Sequence, residues 1–384
     1  MRIVLLTDFF YPRIGGISTH VEGLARTLLR RGHEVVIVTT SGKKPYWGLS
    51  NGIYLIRIPK SVAASMVTFN ISLKKDLETL LPRLDADILH AHHAFSPLGL
   101  VTSEIANQFG IPSILTNHSI PIGFGSLKGV WGTISKGLSI IPMLKTINLY
   151  DEVIAVSSMA AEYISYFYKG RIHIIPNAID LEEFRITASK DEFGLKENDP
   201  MLLMVTRSSP KKGIEVALLA FKVVVKKLNN AKLFIAGPTG AYLQYLKFLT
   251  KVFDIEKHVK LLGFVPRRTL VKLYKAADLL IHPVLGGESF GIVLLEAMAS
   301  GTPIVATYGD GLRYVLEGSG AGMCIDVLNP EKIARIIIRL LNSPNLLKEM
   351  SSAGLKFATR FSWSRIIDKI IRIYKEVSRS RKEK

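Results

Sequence analysis

Two glutamates stand eight positions apart in the run ESFGIVLLEAMASGTPIVAT, Glu288 ahead of an apolar stretch and Glu296 inside it. Paired carboxylates first suggest hydrolytic acid–base work, which needs carboxyl groups roughly 5 to 9.5 Å apart. Eight helical steps would separate the two Cα atoms by roughly 12 Å. The glutamates therefore read as two separate ligand-gripping groups. Upstream, VTRSSPKKGIE sets Arg207 and Lys212 just past the strand-like run MLLMVT. Two cations at the carboxyl end of a strand suit a diphosphate, because doubly wound sheets bind ligands there; the plainer alternative is a solvated turn. Ser289, Phe290 and Gly291 fall where the helix of FGIVLLEAMAS begins, so their N–H groups can meet an anion.

Near the amino end, LLTDFFYPRIGGISTHVEGL reads as strand, loop and helix, with Gly15 and Gly16 able to let the backbone approach an anion. A tight turn explains the same residues. The GxGxxG spacing is absent and the second strand ends in TTSGKK without an acid for a ribose, which disfavours a nicotinamide enzyme. The one DxD, Asp85 to Asp87, precedes a strand and reads as a turn, a poor magnesium site. His118 in ILTNHSIP admits three roles: acid or base, hydrogen-bonding clamp, or buried structural side chain. In LHAHH, alternation points His90 and His92 to one strand face. Zinc at His90, His92 and His93 stays open as an alternative, with no other ligand cluster in the sequence to support it.

The elements that position these residues follow from periodicity. Short β-branched runs alternate with longer amphipathic ones, the mark of parallel α/β layers. RIVLLT, EVVIVTT, ILHAHH, SILTNH, EVIAVS and IHIIPN fill the first half; MLLMVTR, AKLFIAG, VKLLGF, DLLIHPV and TPIVAT restart the pattern after Asp180. Two doubly wound domains are expected within the 384 residues, joined between Ala178 and Asp199. A hydrophobic content of 48% and a charged content of 21% exclude a disordered chain. The single cysteine, Cys324, excludes a disulfide framework, and MRIVLLTDFFYP does not read as a secretion leader, so a cytoplasmic location is expected. A net charge of +18 favours an anionic partner. Leu127, Val130, Trp131, Ile134, Leu138 and Ile141 lie at helical spacing in a stretch without acids, suited either to a membrane interface or to packing beside an acceptor. The run WSRIIDKIIRIYKEVSRSRKEK predicts an amphipathic helix with Trp363, Ile366, Ile367, Ile370, Ile371, Tyr374 and Val377 on one side, then a disordered basic tail.

Together the glutamate pair, the Arg207 and Lys212 spacing, IPNAID, the GGISTHV loop and the GHEVVIVTT strand resemble the retaining family-4 glycosyltransferases of GT-B fold, from Arg2 to about Tyr374. The resemblance implies two Rossmann-like domains facing a central cleft: residues 1–178 on the acceptor side, completed by a helix over 363–384, and residues 179–362 binding a nucleotide-diphosphate sugar. It places Arg207, Lys212 and the amides of Ser289, Phe290, Gly291 and Ile292 on the diphosphate, Glu296 on the ribose, Glu288 on the donor sugar, and Phe264 and Val265 at the base. Gly15 and Gly16 would approach the diphosphate, and His118 would stand beside the reacting carbon. Thr206, where glycine is common, and Tyr314, where glutamate is usual, depart from the pattern. A departing diphosphate gathers negative charge that fixed cations stabilise, so the expected reaction needs no metal or other cofactor. The expected acceptor is a lipid or lipid-linked glycan at an anionic membrane surface, with a soluble sugar or sugar phosphate as the alternative. A nucleic-acid partner is disfavoured by dispersed basic residues. A non-catalytic sugar-nucleotide binder would need neither Glu288 nor His118.

Overall fold

Alternate residues of the first strand, β1 (Arg2–Thr7), sort onto opposite faces of a sheet. Ile3 and Leu5 join one hydrophobic cluster, Val4 and Leu6 another. A strand buried on both faces is what a parallel sheet sandwiched between helices requires. The computed structural model describes residues 1–13, 15–40, 44–50, 52–58, 71–120, 146–309, 311–325 and 329–383. They divide into two units, Met1–Ala178 with Trp363–Lys384, and Ile179–Ser362.

The first unit continues with α1 (Gly16–Arg30), β2 (Glu34–Thr39), β3 (Tyr46–Ser50), β4 (Ile53–Arg57), α2 (Ile71–Leu80), β5 (Ile88–His92), α3 (Pro97–Phe109), β6 (Ser113–Asn117), β7 (Glu152–Ala155), α4 (Ser158–Ser165) and β8 (Ile172–Ile174). Its sheet runs β3-β4-β2-β1-β5-β6-β7-β8, parallel except for the outer strand β3. The second unit holds β9 (Met201–Val205), α5 (Ile214–Val225), β10 (Lys232–Ala236), α6 (Gly240–Val252), β11 (Val259–Gly263), α7 (Arg267–Ala276), β12 (Leu279–His282), α8 (Ile292–Ser300), β13 (Ile304–Thr307), α9 (Leu312–Leu316), β14 (Gly322–Ile325), α10 (Pro330–Leu341) and α11 (Pro344–Ala358). Its sheet, β11-β10-β9-β12-β13-β14, is parallel throughout. In each unit the strand order reverses once, between β1 and β5 and between β9 and β12. Ligand crevices of such sheets open outside the carboxyl ends of the strands at that reversal.

The last helix, α12 (Trp363–Lys382), returns to the first unit. Trp363, Ile366, Ile367, Ile370, Ile373, Tyr374 and Val377 are buried with Ile3, Leu5, Leu24 and Leu28. At about 1.5–3 kcal/mol for each large side chain, this stripe rivals the ~5–15 kcal/mol net stability of a whole domain. Two expectations need correction here. Ile373 replaces Ile371 on the fully buried stripe, since residue 371 sits a further 100° round the helix from Ile370 and reaches only its margin. The basic tail is helical through Lys382, and Arg381 Nε donates to Asp151 Oδ1 at 2.7 Å. The antiparallel pair β3–β4 and the strand β14 were not expected from the sequence. The segment 127–141, with Leu127, Val130, Trp131, Ile134, Leu138 and Ile141, lies outside the described residues.

Close approach of α1 to α12 depends on Gly23, where a Cβ would overlap the buried Trp363 indole. Gly23→Ala should therefore destabilise the first unit. Overpacking typically costs about 1–3 kcal/mol, against up to ~1 kcal/mol that alanine returns through helix propensity. Thermal unfolding followed by tryptophan emission reads the difference; an unchanged or higher midpoint would contradict the packing described.

Candidate functional site

In the second unit, β9 delivers Thr206 and the exposed Arg207 at its carboxyl end, followed by a turn over Pro210–Lys212. Gly213 closes that turn at φ 69°, and a Cβ there would overlap the carbonyl oxygen of Pro283, just past β12. Only glycine satisfies both demands. The turn thereby presses against the neighbouring strand end, and the Leu285 N–H donates to the Lys211 carbonyl at 2.8 Å. Lys212 Nζ then meets Glu288 Oε2 directly, in an ion pair that leaves the two side chains 10% and 21% exposed.

Electrostatics follow from this convergence. Burial alone would raise the Glu288 pKa, but the charges of Lys212, His282 and Arg207 outweigh it and hold the carboxyl below its ordinary value. Glu288 is thus a carboxylate at neutral pH, which accepts hydrogen bonds and cannot act as a general acid. Lys211, unremarked in the sequence reading, is pushed down by burial and by the like charges of Lys212 and Arg207. His282, at the end of β12, is pushed down to about 4 by burial and by Lys212. Neither of its ring nitrogens meets a hydrogen-bond partner among the described residues.

The start of α8 carries no side-chain cap; Gly291 holds the N-cap position at φ 82°. Its first amides lack intrahelical acceptors by construction. Phe290 can offer only its backbone, because its ring is buried against Tyr314 and Phe361 at centroid distances of 6.1 and 6.0 Å. Ser289 and Ile292 are partly exposed. The second glutamate has different company. Arg267 Nη1 pairs with Glu296 Oε1 and the Tyr274 hydroxyl donates to Oε2 at 2.9 Å, while Arg267 also reaches Glu183. Burial lowers the Arg267 pKa, and the two glutamates more than restore it, to above its ordinary value. Arg267 and Tyr274 were missed because nothing in their spacing links them to Glu296. Phe264 projects from the turn after β11, 58% exposed, with Val265 partly buried beside it.

In the first unit, the Gly15 amide donates to Ser18 Oγ at 2.8 Å, and that hydroxyl donates back to the Gly15 carbonyl at 2.7 Å. Gly15 is extended, with φ 173°, and Gly16 is exposed. His118 follows β6 and is buried, its Nε2 3.1 Å from Nδ1 of His92. His20 of α1 packs its ring on both, and His90 bridges Thr116 Oγ1 and the Tyr374 hydroxyl at 2.7 Å each. Burial pushes all four histidines down, to about 3 for His20 and His90. Asp87 accepts the Arg2 amide at 2.8 Å and Asp85 stands at φ 48°, so the DxD caps a turn.

Comparison with known proteins comes down to two family models and many relatives. Residues 14–183 match Glycosyltransferase Family 4 and residues 185–357 match Glycosyl transferases group 1. An uncharacterised glycosyltransferase of Methanocaldococcus jannaschii is 30% identical over 98% of both chains. The phosphatidyl-myo-inositol mannosyltransferase of Mycolicibacterium smegmatis is 27% identical over 98% of this chain and 94% of its own. Among solved structures, sucrose-phosphate synthase from Thermosynechococcus elongatus superposes with a TM-score of 0.81 at 20% identity, covering 99% of each chain.

The buried histidines set a pH limit on the first unit. Below pH ~6.5 the unfolded chain takes up protons that these rings refuse when folded. Stability is therefore fully present above that value and lost as pH falls toward the depressed folded values, by about 1.4 kcal/mol per pH unit for each histidine. Trp47, Trp131 and Trp363 all belong to the first unit, so tryptophan emission during urea unfolding in EDTA reports it selectively. A midpoint that held constant from about pH 7.5 to about 5.5, above the range where carboxylates titrate, would refute this.

Proposed function

The chain belongs to family 4 of the glycosyltransferases and has the GT-B fold, and on that premise we propose that it moves a hexose, with retention of configuration, from a UDP- or GDP-sugar to a lipid or lipid-linked acceptor. The observation that carries the donor side is the cation cluster at the β9–β12 reversal. Arg207, Lys211 and Lys212 stand close enough to act on one another's charge or on Glu288. Among the described residues three cations gather around one carboxylate, an excess that a diphosphate would neutralise.

Breaking the sugar–diphosphate bond builds negative charge on the leaving group, and cations fixed in advance lower that barrier without reorganising. Arg207 and Lys212, with Lys211, take this role together with the amides of Ser289, Phe290, Gly291 and Ile292 at the α8 start. No metal is required by this scheme. Glu288, ionised and steadied by Lys212, accepts hydrogen bonds from hydroxyls of the donor sugar. Glu296, oriented by Arg267 and Tyr274, accepts from the ribose, and Phe264 and Val265 meet the base. His118 of the first unit is assigned to the reacting carbon, and Gly15 and Gly16 to the diphosphate. Support for a lipid acceptor comes from the full-length likeness to a relative named for a phosphatidylinositol acceptor and from a net charge of +18 suited to an anionic surface. The contact proposed with that surface is peripheral; among the described residues no helix is long and apolar enough to cross a membrane.

Incubation with UDP-, GDP- and ADP-sugars in EDTA should give hydrolysis or transfer from a UDP or GDP donor; strict dependence on added Mg2+ would refute metal independence. Glu288→Gln should slow turnover by roughly 10²–10³, the range seen when one preorganised charge-stabilising group is lost, with little change in nucleotide affinity. Equal loss in both would move Glu288 from the sugar to general donor binding. Extracted lipids and soluble sugar phosphates offered side by side decide the acceptor: product confined to the soluble fraction ends the lipid reading.

A further inference from the structure

Hydrogen bonding leaves the histidine cluster of the first unit incomplete. His20 comes from α1, His92 from the last position of β5 and His118 from just past β6, and ligand-capable ring nitrogens of all three lie within 4.8 Å of one another. Ring centroids stand 4.8 Å apart for His20 and His118, 5.4 Å for His92 and His118, and 5.7 Å for His20 and His92. Zinc–imidazole bonds of about 2.0–2.1 Å, with a ring centre about 1.1 Å beyond the nitrogen, put three rings on a tetrahedral ion about 5 Å apart. The observed spacings bracket that value. His92 Nδ1 and His118 Nε2 share a hydrogen bond of 3.1 Å, a separation near the ~3.3 Å edge of such a tetrahedron, so an ion there would take the place of the shared proton.

The rings are held where they stand. His90 packs on His92 at 4.3 Å and is itself tied to Thr116 and Tyr374, while Trp363 lies 5.1 Å from His20. Yet Nδ1 of His20 is buried with no partner among the described residues, as is Nε2 of His92, the ring nitrogen not engaged with His118. Buried polar groups are ordinarily met, and one left unmet by the protein is open to a water, a ligand or an ion.

We propose that His20, His92 and His118 form a binding site for a transition-metal ion of the Zn2+ or Co2+ type. Imidazoles suit these ions and not Mg2+ or Ca2+, which take oxygen ligands. Three imidazole ligands leave the fourth position of a tetrahedral ion open. A consequence rests on the function proposed above: once ligated, His118 is withdrawn from the reacting carbon, and the ion inhibits transfer instead of assisting it.

Co2+ titration of the chelator-treated full chain tests the site directly. One equivalent should develop the intense visible bands of tetrahedral, nitrogen-ligated Co2+, displaced by Zn2+, and Zn2+ but not Mg2+ should raise Tm. His20→Asn and His92→Asn should each weaken Co2+ binding more than ~100-fold, beyond the loss from disturbing a mere supporting contact; His258→Ala should leave it unchanged. Only pale octahedral bands, or variants that bind like the parent, overturn the site. Should the variants fail to fold, imidazole 15N spectra of the parent decide, with three of its nine histidines expected to shift on Zn2+ addition and no shift counting against the site. Co2+ bound with transfer unimpaired keeps the site and removes His118 from the reaction. Transfer without any Co2+ binding overturns the site and leaves the proposed function standing.

Discussion

Everything in the second unit's site turns on a concentration of positive charge that the fold cannot avoid. Gly213 forces the Lys211–Lys212 turn against the end of β12, and Arg207 issues from the adjoining strand end. Like charges so placed repel, as the lowered Lys211 pKa records. Among the described residues the carboxylate that answers them is Glu288. A buried ion pair of this kind adds little net stability, since desolvation of both groups offsets their attraction. Its role is positional: it fixes an ionised carboxylate at the mouth of a cation cluster that stays short of negative charge.

Topology explains why the chemistry gathers there. In a parallel sheet every strand points its carboxyl end the same way, and the loops from neighbouring strands diverge only where the order reverses. β9 and β12 flank that point in the second unit, and they supply Arg207 to Lys212 on one side and His282 to Glu288 on the other. The first unit repeats the scheme with β1 and β5. From these strands come the Gly15–Gly16 loop and His92. One architectural rule thus accounts for both clusters without reference to any bound molecule.

Much of this was legible in the residue pattern. Runs such as MLLMVT and DLLIHPV are short, β-branched or leucine-rich and spaced by helix-length segments, so the parallel α/β class follows from local periodicity alone. The β3–β4 pair escaped because an edge hairpin exposes Trp47, Leu49 and Tyr54 and lacks a clean alternation. Lys211 escaped for a different reason. Sequence shows that it adjoins Lys212, but only the turn shows that it is half buried among charges. His20 sits 72 and 98 positions from His92 and His118, and no spacing rule joins residues brought together by three separate elements. The Ile371 misplacement on α12 reflects the width of a helical stripe, whose margin the period cannot resolve.

The two glutamates that first suggested chemistry end with unlike surroundings. Glu288 lies in a turn, partly exposed, paired with a lysine and flanked by further cations. Glu296 lies inside α8, its side chain 5% exposed, with one oxygen on Arg267 and the other on the Tyr274 hydroxyl. A hydrolytic dyad needs one carboxyl kept protonated beside one kept ionised. Here Glu288 is held ionised by its neighbours, and Glu296 faces an arginine whose charge cannot be removed. Two carboxylates each committed to a cation cannot share a proton between them. The same commitments leave both as fixed hydrogen-bond acceptors, the property that gripping the hydroxyls of a sugar and a ribose demands.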